Sequence, residues 1–145
     1  MSNNDKESID KIVTPHHYTQ YTIEPIQVIL DWNLPYCVSA AIKYLSRYQF
    51  KDGKQDLKKA IDYLKFELLR LAKIDRLISQ LETLQTHTYQ YHYNTVMKDW
   101  KPVLNINDAF YYLWSSREND LSRVENIQSA IQDIELELAR METTP

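Results

Sequence analysis

The chain is 145 residues long, 43% hydrophobic and 26% charged, a composition that suits one globular domain and leaves no room for two independent ones. A formal net charge of -3 provides no global basic field, so duplex nucleic acid is not an expected partner. A single glycine argues against a turn-rich β fold and predicts a mainly α one.

Residues 1–14 are polar and read as a flexible tail, followed by a loop with the sequence TPHHYTQY. The start lacks a signal-peptide core, and no later stretch approaches the run of about 20 apolar residues that crosses a membrane. A cytoplasmic location without membrane contact is therefore expected. Cys37 is the only cysteine, which admits no intrachain disulfide, fits a reducing compartment and reads as an inert, partly buried thiol.

Thr22 is placed to cap a first helix with Pro25 in an early position and Ile26, Ile29 and Leu30 as its apolar face. That helix is predicted to end near Trp32, and Asn33 and Pro35 restart the chain. Val38, Ala41, Ile42 and Leu45 form the next stripe, which runs to about Phe50 before Lys51, Asp52, Gly53 and Lys54. From Gln55 a seam of Leu57, Ile61, Leu64, Leu68, Leu71, Ile74, Ile78 and Leu81 predicts a long helix to about Leu84, about 45 Å at 1.5 Å per residue.

Residues 86–114 have another character. Tyr89, Tyr91 and Tyr93 alternate with polar residues, which predicts one short strand or an extended loop. Phe110, Tyr111, Tyr112 and Trp114 predict a short helix begun near Asn107 or Asp108. A second seam follows at Leu121, Val124, Ile127, Ile131, Ile134, Leu138 and Met141, with Ser115 and Glu118 at capping-box spacing for its start.

Neither seam can stay in water, so the pair predicts an antiparallel hairpin within the chain or a helical dimer interface, and a homo-oligomer is the expected assembly. No internal repeat or low-complexity tract is evident. The resulting organisation is a tail over 1–14, a helical site-bearing unit over 15–68, and over 69–145 a long helix, an aromatic connector and a C-terminal amphipathic helix. The last two are expected to form one structural unit.

Several chemistries are excluded by what the chain lacks. One glycine cannot build a P-loop or a dinucleotide-binding fingerprint, and there is no Gly-x-Ser-x-Gly elbow and no cysteine pair for zinc. His16, His17, His87 and His92 lack the spacing that puts two imidazoles on one helical face, so no metal is expected. Paired carboxylates at E-x-x-E spacing, which hold magnesium in helical nucleotide pyrophosphohydrolases, are also missing.

The sharpest local feature surrounds Gly53. Lys43 and Arg47 are four apart on one helical face, Lys51 and Lys54 flank the turn, and Lys59 lies in the first turns of the next helix. A turn into a helix N-terminus offers free N–H groups and the positive end of the helix dipole, so this set predicts a phosphate site. A solvated face laced with pairs such as Lys58 and Asp62 is the alternative that spacing leaves open. Aromatic residues of the middle segment could stack on bases, or serve as core edge or interface.

In order along the chain, His17-Tyr18, Ile23-Glu24-Pro25-Ile26, Ala41-Ile42-Lys43-Tyr44-Leu45 with Arg47, Lys51, Gly53, Asp56-Leu57-Lys58-Lys59-Ala60 and Tyr63-Leu64 resemble the small phage-encoded family called SaV-like or nucleotide-kinase-like. The resemblance covers about a third of the chain, residues 17–64. It implies a virus-encoded cytosolic protein with a nucleotide as substrate or ligand and no other cofactor. Some relatives phosphorylate deoxynucleoside monophosphates without a P-loop, while others are known chiefly as the phage component to which a bacterial abortive-infection system responds.

The expectations are accordingly a nucleotide-phosphate-binding protein that acts as a kinase, or one that sequesters a nucleotide or engages a host defence protein. Lys43, Arg47, Lys51, Lys54 and Lys59 would neutralise phosphate, and Tyr18 and Tyr44 would flank a base or ribose. Glu24 and His17 are the candidates for orienting the acceptor. Glu24 could equally pair with a cation or favour the start of its own helix.

Overall fold

The computed structural model of the chain describes residues 20–73, 89–116 and 120–143, with 120–122 as backbone only. The described residues form helices α1 (Pro25–Trp32), α2 (Tyr36–Arg47), α3 (Lys54–Lys73), α4 (Tyr93–Trp100), α5 (Leu104–Ser115) and α6 (Asp120–Thr143). A 3-10 turn, Tyr48–Phe50, joins α2 to α3. No strand occurs among them, as expected for a mainly α protein. The tail 1–14, His17, Tyr18 and the predicted extension of α3 to Leu84 lie outside the described residues.

Local chemistry sets the boundaries and corrects several expectations. Glu24, not Thr22, is the N-cap of α1: Pro25 follows it at the first helical position, and the Gln27 side chain accepts the Glu24 N–H at 2.9 Å. The face that α1 buries is Pro25, Val28 and Trp32, whereas Ile26 and Leu30 are 52% and 71% exposed. Trp32 decides the rotation because its ring is the largest apolar surface on the helix. Asn33 ends α1 in the left-handed region at φ 50°.

The alternating tyrosines make no strand. Residues 89–92 are irregular, and Tyr93 opens α4 after His92, whose Nδ1 accepts the Asn94 N–H at 3.1 Å. Helix α5 begins at Leu104, earlier than expected, and contains Ser115. Ser115 therefore does not cap α6, and Glu118 is not among the described residues.

Contacts at their ends show that α2 and α3 are antiparallel: Arg47 at the end of α2 meets Asp56 in the first turn of α3, while Cys37 lies in the field of Glu67 and Arg70. Burial raises the Cys37 pKa, with Glu67 adding to the shift, which suits an unreactive thiol. Helices α5 and α6 pair in the same sense, with Arg123 Nε donating to the Ser116 carbonyl at 3.0 Å and Asn105 Nδ2 to Glu137 Oε2 at 3.4 Å. The two long helices then pack against each other, so the α3 stripe of Leu57, Ile61 and Leu64 and the α6 stripe of Ile127, Ile131 and Ile134 share one core. Of the two arrangements the seams allow, pairing within the chain is the one adopted.

An internal repeat also emerges, although none is evident from reading the sequence. Helices of 8, 12 and 20 residues are followed by helices of 8, 12 and 24. Val28, Asp31 and Trp32 of α1 correspond to Val96, Asp99 and Trp100 of α4, and both helices end on a left-handed residue, Asn33 at φ 50° and Lys101 at φ 48°. Ala41, Tyr44 and Leu45 of α2 match Ala109, Tyr112 and Leu113 of α5. Ala60, Ile61, Glu67 and Arg70 of α3 match Ala130, Ile131, Glu137 and Arg140 of α6, and both glutamates are buried and paired to the arginine three residues on.

The halves cross-brace each other reciprocally. Asp99 Oδ2 accepts the Ile23 N–H and Asp31 Oδ2 accepts the Tyr91 N–H, each at 2.8 Å. Trp100 Nε1 donates to the Ile23 carbonyl and Trp32 Nε1 to the Tyr91 carbonyl, again at 2.8 Å. Each tryptophan thus buries its ring in the core while its one polar atom fastens the entry segment of the opposite half. Such swapped, equivalent contacts are the signature of an approximate two-fold axis.

Candidate functional site

The site is built on the outer face of α2 and α3, close to the turn that joins them. Gly53 adopts φ 51° and its N–H reaches the Tyr48 carbonyl at 2.9 Å, which reverses the chain after the 3-10 turn. A Cβ there would meet nothing within 4 Å, so backbone conformation alone requires glycine. Reversal brings the C-terminal turn of α2 beside the first turns of α3.

Arg47 and Asp56 lock that junction. Arg47 Nε donates to Asp56 Oδ2 and Nη2 to Oδ1, each at 3.1 Å, and the two residues are 6% and 0% exposed. The Asp52 N–H reaches the same carboxylate at 3.3 Å, and the Asp52 carboxylate is 3.9 Å from the guanidinium. Arg47 is therefore committed to buried structure rather than presented to a ligand. A buried carboxylate also sits in the first turn of α3, where it offsets the positive helix end.

On α2, three residues before Arg47, Tyr44 gathers the cations. Its ring centroid is 4.6 Å from Lys43 Nζ, 4.7 Å from Arg47 Cζ and 5.5 Å from Lys59 Nζ. Tyr63, one helical turn beyond Lys59, stacks on Tyr44 with centroids 5.7 Å apart at 22°. Tyr36 and Phe66 each meet Tyr63 edge-on at 6.1 Å. A hydrogen bond with the Tyr63 hydroxyl raises the pKa of Tyr36.

Lys43 and Lys59 make no ion pair with a described residue, and both are partly buried against the aromatic surface. Both ammonium groups lie within 5.5 Å of one ring centroid and are partly buried, so an anion placed beside either is screened less than in open solvent. Lys51 and Lys54 stand exposed at the Gly53 turn, and no described contact brings them to Tyr44. The geometry thus moves the centre of the site from the turn to the ring of Tyr44.

The remaining expected residues fall elsewhere. Glu24 caps α1 and is tied to Gln27, so its helix-starting role is realised. His17 and Tyr18 are outside the described residues. Sequence reasoning has Asp56 and Tyr63 only as part of the resemblance, with no role at the site, and passes over Tyr36 and Phe66. Tyr63 was within reach, since it lies four residues after Lys59 on the same helical face. No cluster of three metal-ligating side chains occurs among the described residues.

The fold defines a mainly α domain built from two similar halves. A family model described as a protein of unknown function, DUF3310, matches residues 12–65, the half that carries Lys43, Tyr44, Arg47, Asp56, Lys59 and Tyr63. No curated protein and no solved structure matches the chain. No described helix is long and apolar enough to cross a membrane.

Proposed function

We propose that the chain binds a nucleotide by its phosphate, with the Lys43 and Lys59 ammonium groups donating to the phosphate oxygens and Tyr44, Tyr63 and Tyr36 as the aromatic wall against which base or ribose rests. The observation that carries this reading is the convergence of two ammonium groups without ion-pair partners on the ring of Tyr44. A phosphate exchanges a cation–aromatic contact of about 0.5–1 kcal/mol for charge-assisted hydrogen bonds of about 1.5–3 kcal/mol each. The exposed face of Tyr36 supplies a stacking surface beside it. Resemblance of residues 17–64 to a nucleotide-kinase-like family supports the same ligand class.

Binding has more support than phosphoryl transfer. Transfer requires a group that orients the acceptor in line with the leaving oxygen. Of the two candidates, Glu24 serves as a helix cap, and His17 is outside the described residues. A sequestering protein, viral in origin as the resemblance implies, is therefore the preferred form of the proposal.

Isothermal titration with deoxynucleoside mono- and triphosphates tests it, followed by chromatography of the ligand after long incubation. Binding lost in Lys43→Ala and Lys59→Ala, with the ligand recovered unchanged, is the expected outcome. A diphosphate product would establish the kinase instead. Absence of heat with every nucleotide would refute both forms.

A further inference from the structure

The approximate two-fold axis has a functional consequence, because the two halves have diverged where the first one carries its site. At the positions equivalent to Lys43, Arg47 and Lys59 stand Tyr111, Ser115 and Ser129, while Tyr44 has its counterpart in Tyr112. Asp56, the buried partner of Arg47, is matched by Asn126. Both members of that ion pair are therefore replaced by neutral residues together.

The sign of the surface has also changed. Asp133 occupies the place of Tyr63 and feels the nearby charge of Asp108, and its Oδ2 is buried with no hydrogen-bond partner. Two carboxylates repel an anion where the first half gathers cations. The reciprocal contacts that join the halves are meanwhile present on both sides: the crossed Asp31 and Asp99 bonds, the crossed Trp32 and Trp100 bonds, and the matched stripes of α3 and α6.

We propose that the C-terminal half is a built-in partner, a copy that has kept the pairing face and lost the anion site. The full chain is accordingly monomeric and takes up one anionic ligand, at the Lys43 and Lys59 face only. This reverses the homo-oligomer expected from the seams, because the apolar stripe of α3 that a second chain would cover is already packed against α6. The one-ligand statement rests on the anion-binding reading above, whereas the monomer statement does not.

Two measurements on the full chain separate these parts. Sedimentation equilibrium should give a concentration-independent mass near 17.3 kDa, and a dimer would overturn the built-in partner. Titration with pyrophosphate and with a deoxynucleoside triphosphate should give one ligand per chain. Lys43→Ala with Lys59→Ala should weaken it more than about tenfold, while Tyr111→Ala with Ser129→Ala leaves it within about twofold. Two equivalents per chain, or loss of affinity in the Tyr111 and Ser129 variant, would overturn the asymmetry. No heat with either anion would refute the anion site and the one-ligand statement together, with the mass still deciding the partner statement.

Discussion

Replacing Arg47 separates the two roles that sequence and structure assign to it. Arg47→Ala removes a bidentate partner from Asp56, which is 0% exposed, and strands a carboxylate whose only other described donor is the Asp52 N–H at 3.3 Å. Breaking a buried pair in this way costs about 3–5 kcal/mol. A chain of this length has on the order of 7–22 kcal/mol in all, at 0.05–0.15 kcal/mol per residue, so the loss is a large fraction of its stability. Replacing both partners by apolar residues of similar volume, Arg47→Met with Asp56→Leu, should return most of it, because no charge is left behind. Urea unfolding reads the difference as a midpoint drop of more than about 1 M in the single variant and a much smaller one in the double. If Arg47→Ala loses under about 1 kcal/mol, the guanidinium is not structural and the exposed-ligand reading of Arg47 regains its footing.

Other expectations follow from named contacts. Trp32→Phe and Trp100→Phe should each cost about 1–3 kcal/mol by orphaning the Tyr91 or Ile23 carbonyl, and near-equal losses in denaturant melts would bear out the two-fold relation. Lys101→Gly should stabilise by about 1 kcal/mol, since a lysine at φ 48° has a left-handed backbone that glycine adopts freely, while Asn33→Gly gains less. Gly53→Ala should lose about 1–2 kcal/mol for the same reason in reverse, with no steric contribution. Asp133 has a pKa raised by burial and then by Asp108, so its ionisation weighs on the folded state and its contribution to stability declines as pH rises through the carboxylate range. Asp133→Asn should therefore raise Tm at pH 7, with the gain shrinking toward acidic pH where the wild-type carboxyl is protonated.

The helical class, α2, the start of α3 and the apolar stripes of the long helices are legible because apolar residues recur there at three and four over many turns, whereas the same spacing leaves pairing within the chain and between chains equally open. Helix α4 is not legible, because Tyr93–Trp100 is two turns long and begins within a run of alternating tyrosines whose period suggests a strand. Its clearest signal is non-local: Val96, Asp99 and Trp100 repeat the pattern of Val28, Asp31 and Trp32. The repeat itself is faint in the sequence because the matching residues are scattered, mostly buried positions while the exposed residues between them differ, as in Ile26 against Asn94 or Leu30 against Lys98. At the site, spacing located Lys43, Arg47 and Lys59 but could not tell which cation is satisfied. That depends on Asp56, which sequence places merely in a first turn and the fold places opposite Arg47.

The two halves also supply an internal control for what Arg47 and Asp56 are for. In the second half Ser115 and Asn126 stand at the positions of Arg47 and Asp56, and the buried Arg123, at the place of Gly53, donates to the Ser116 carbonyl at 3.0 Å. The Gly53 N–H serves the equivalent Tyr48 carbonyl at 2.9 Å. In the first half the pair persists where its guanidinium lies 4.7 Å from the Tyr44 ring, and that ring is the surface on which Lys43 and Lys59 converge. Its local consequence is to hold α2 and α3 in register beneath Tyr44 with a positive charge that no ligand has to displace. The buried pair thus holds the junction of α2 and α3 and, through the same guanidinium, lies against the ring on which Lys43 and Lys59 rest.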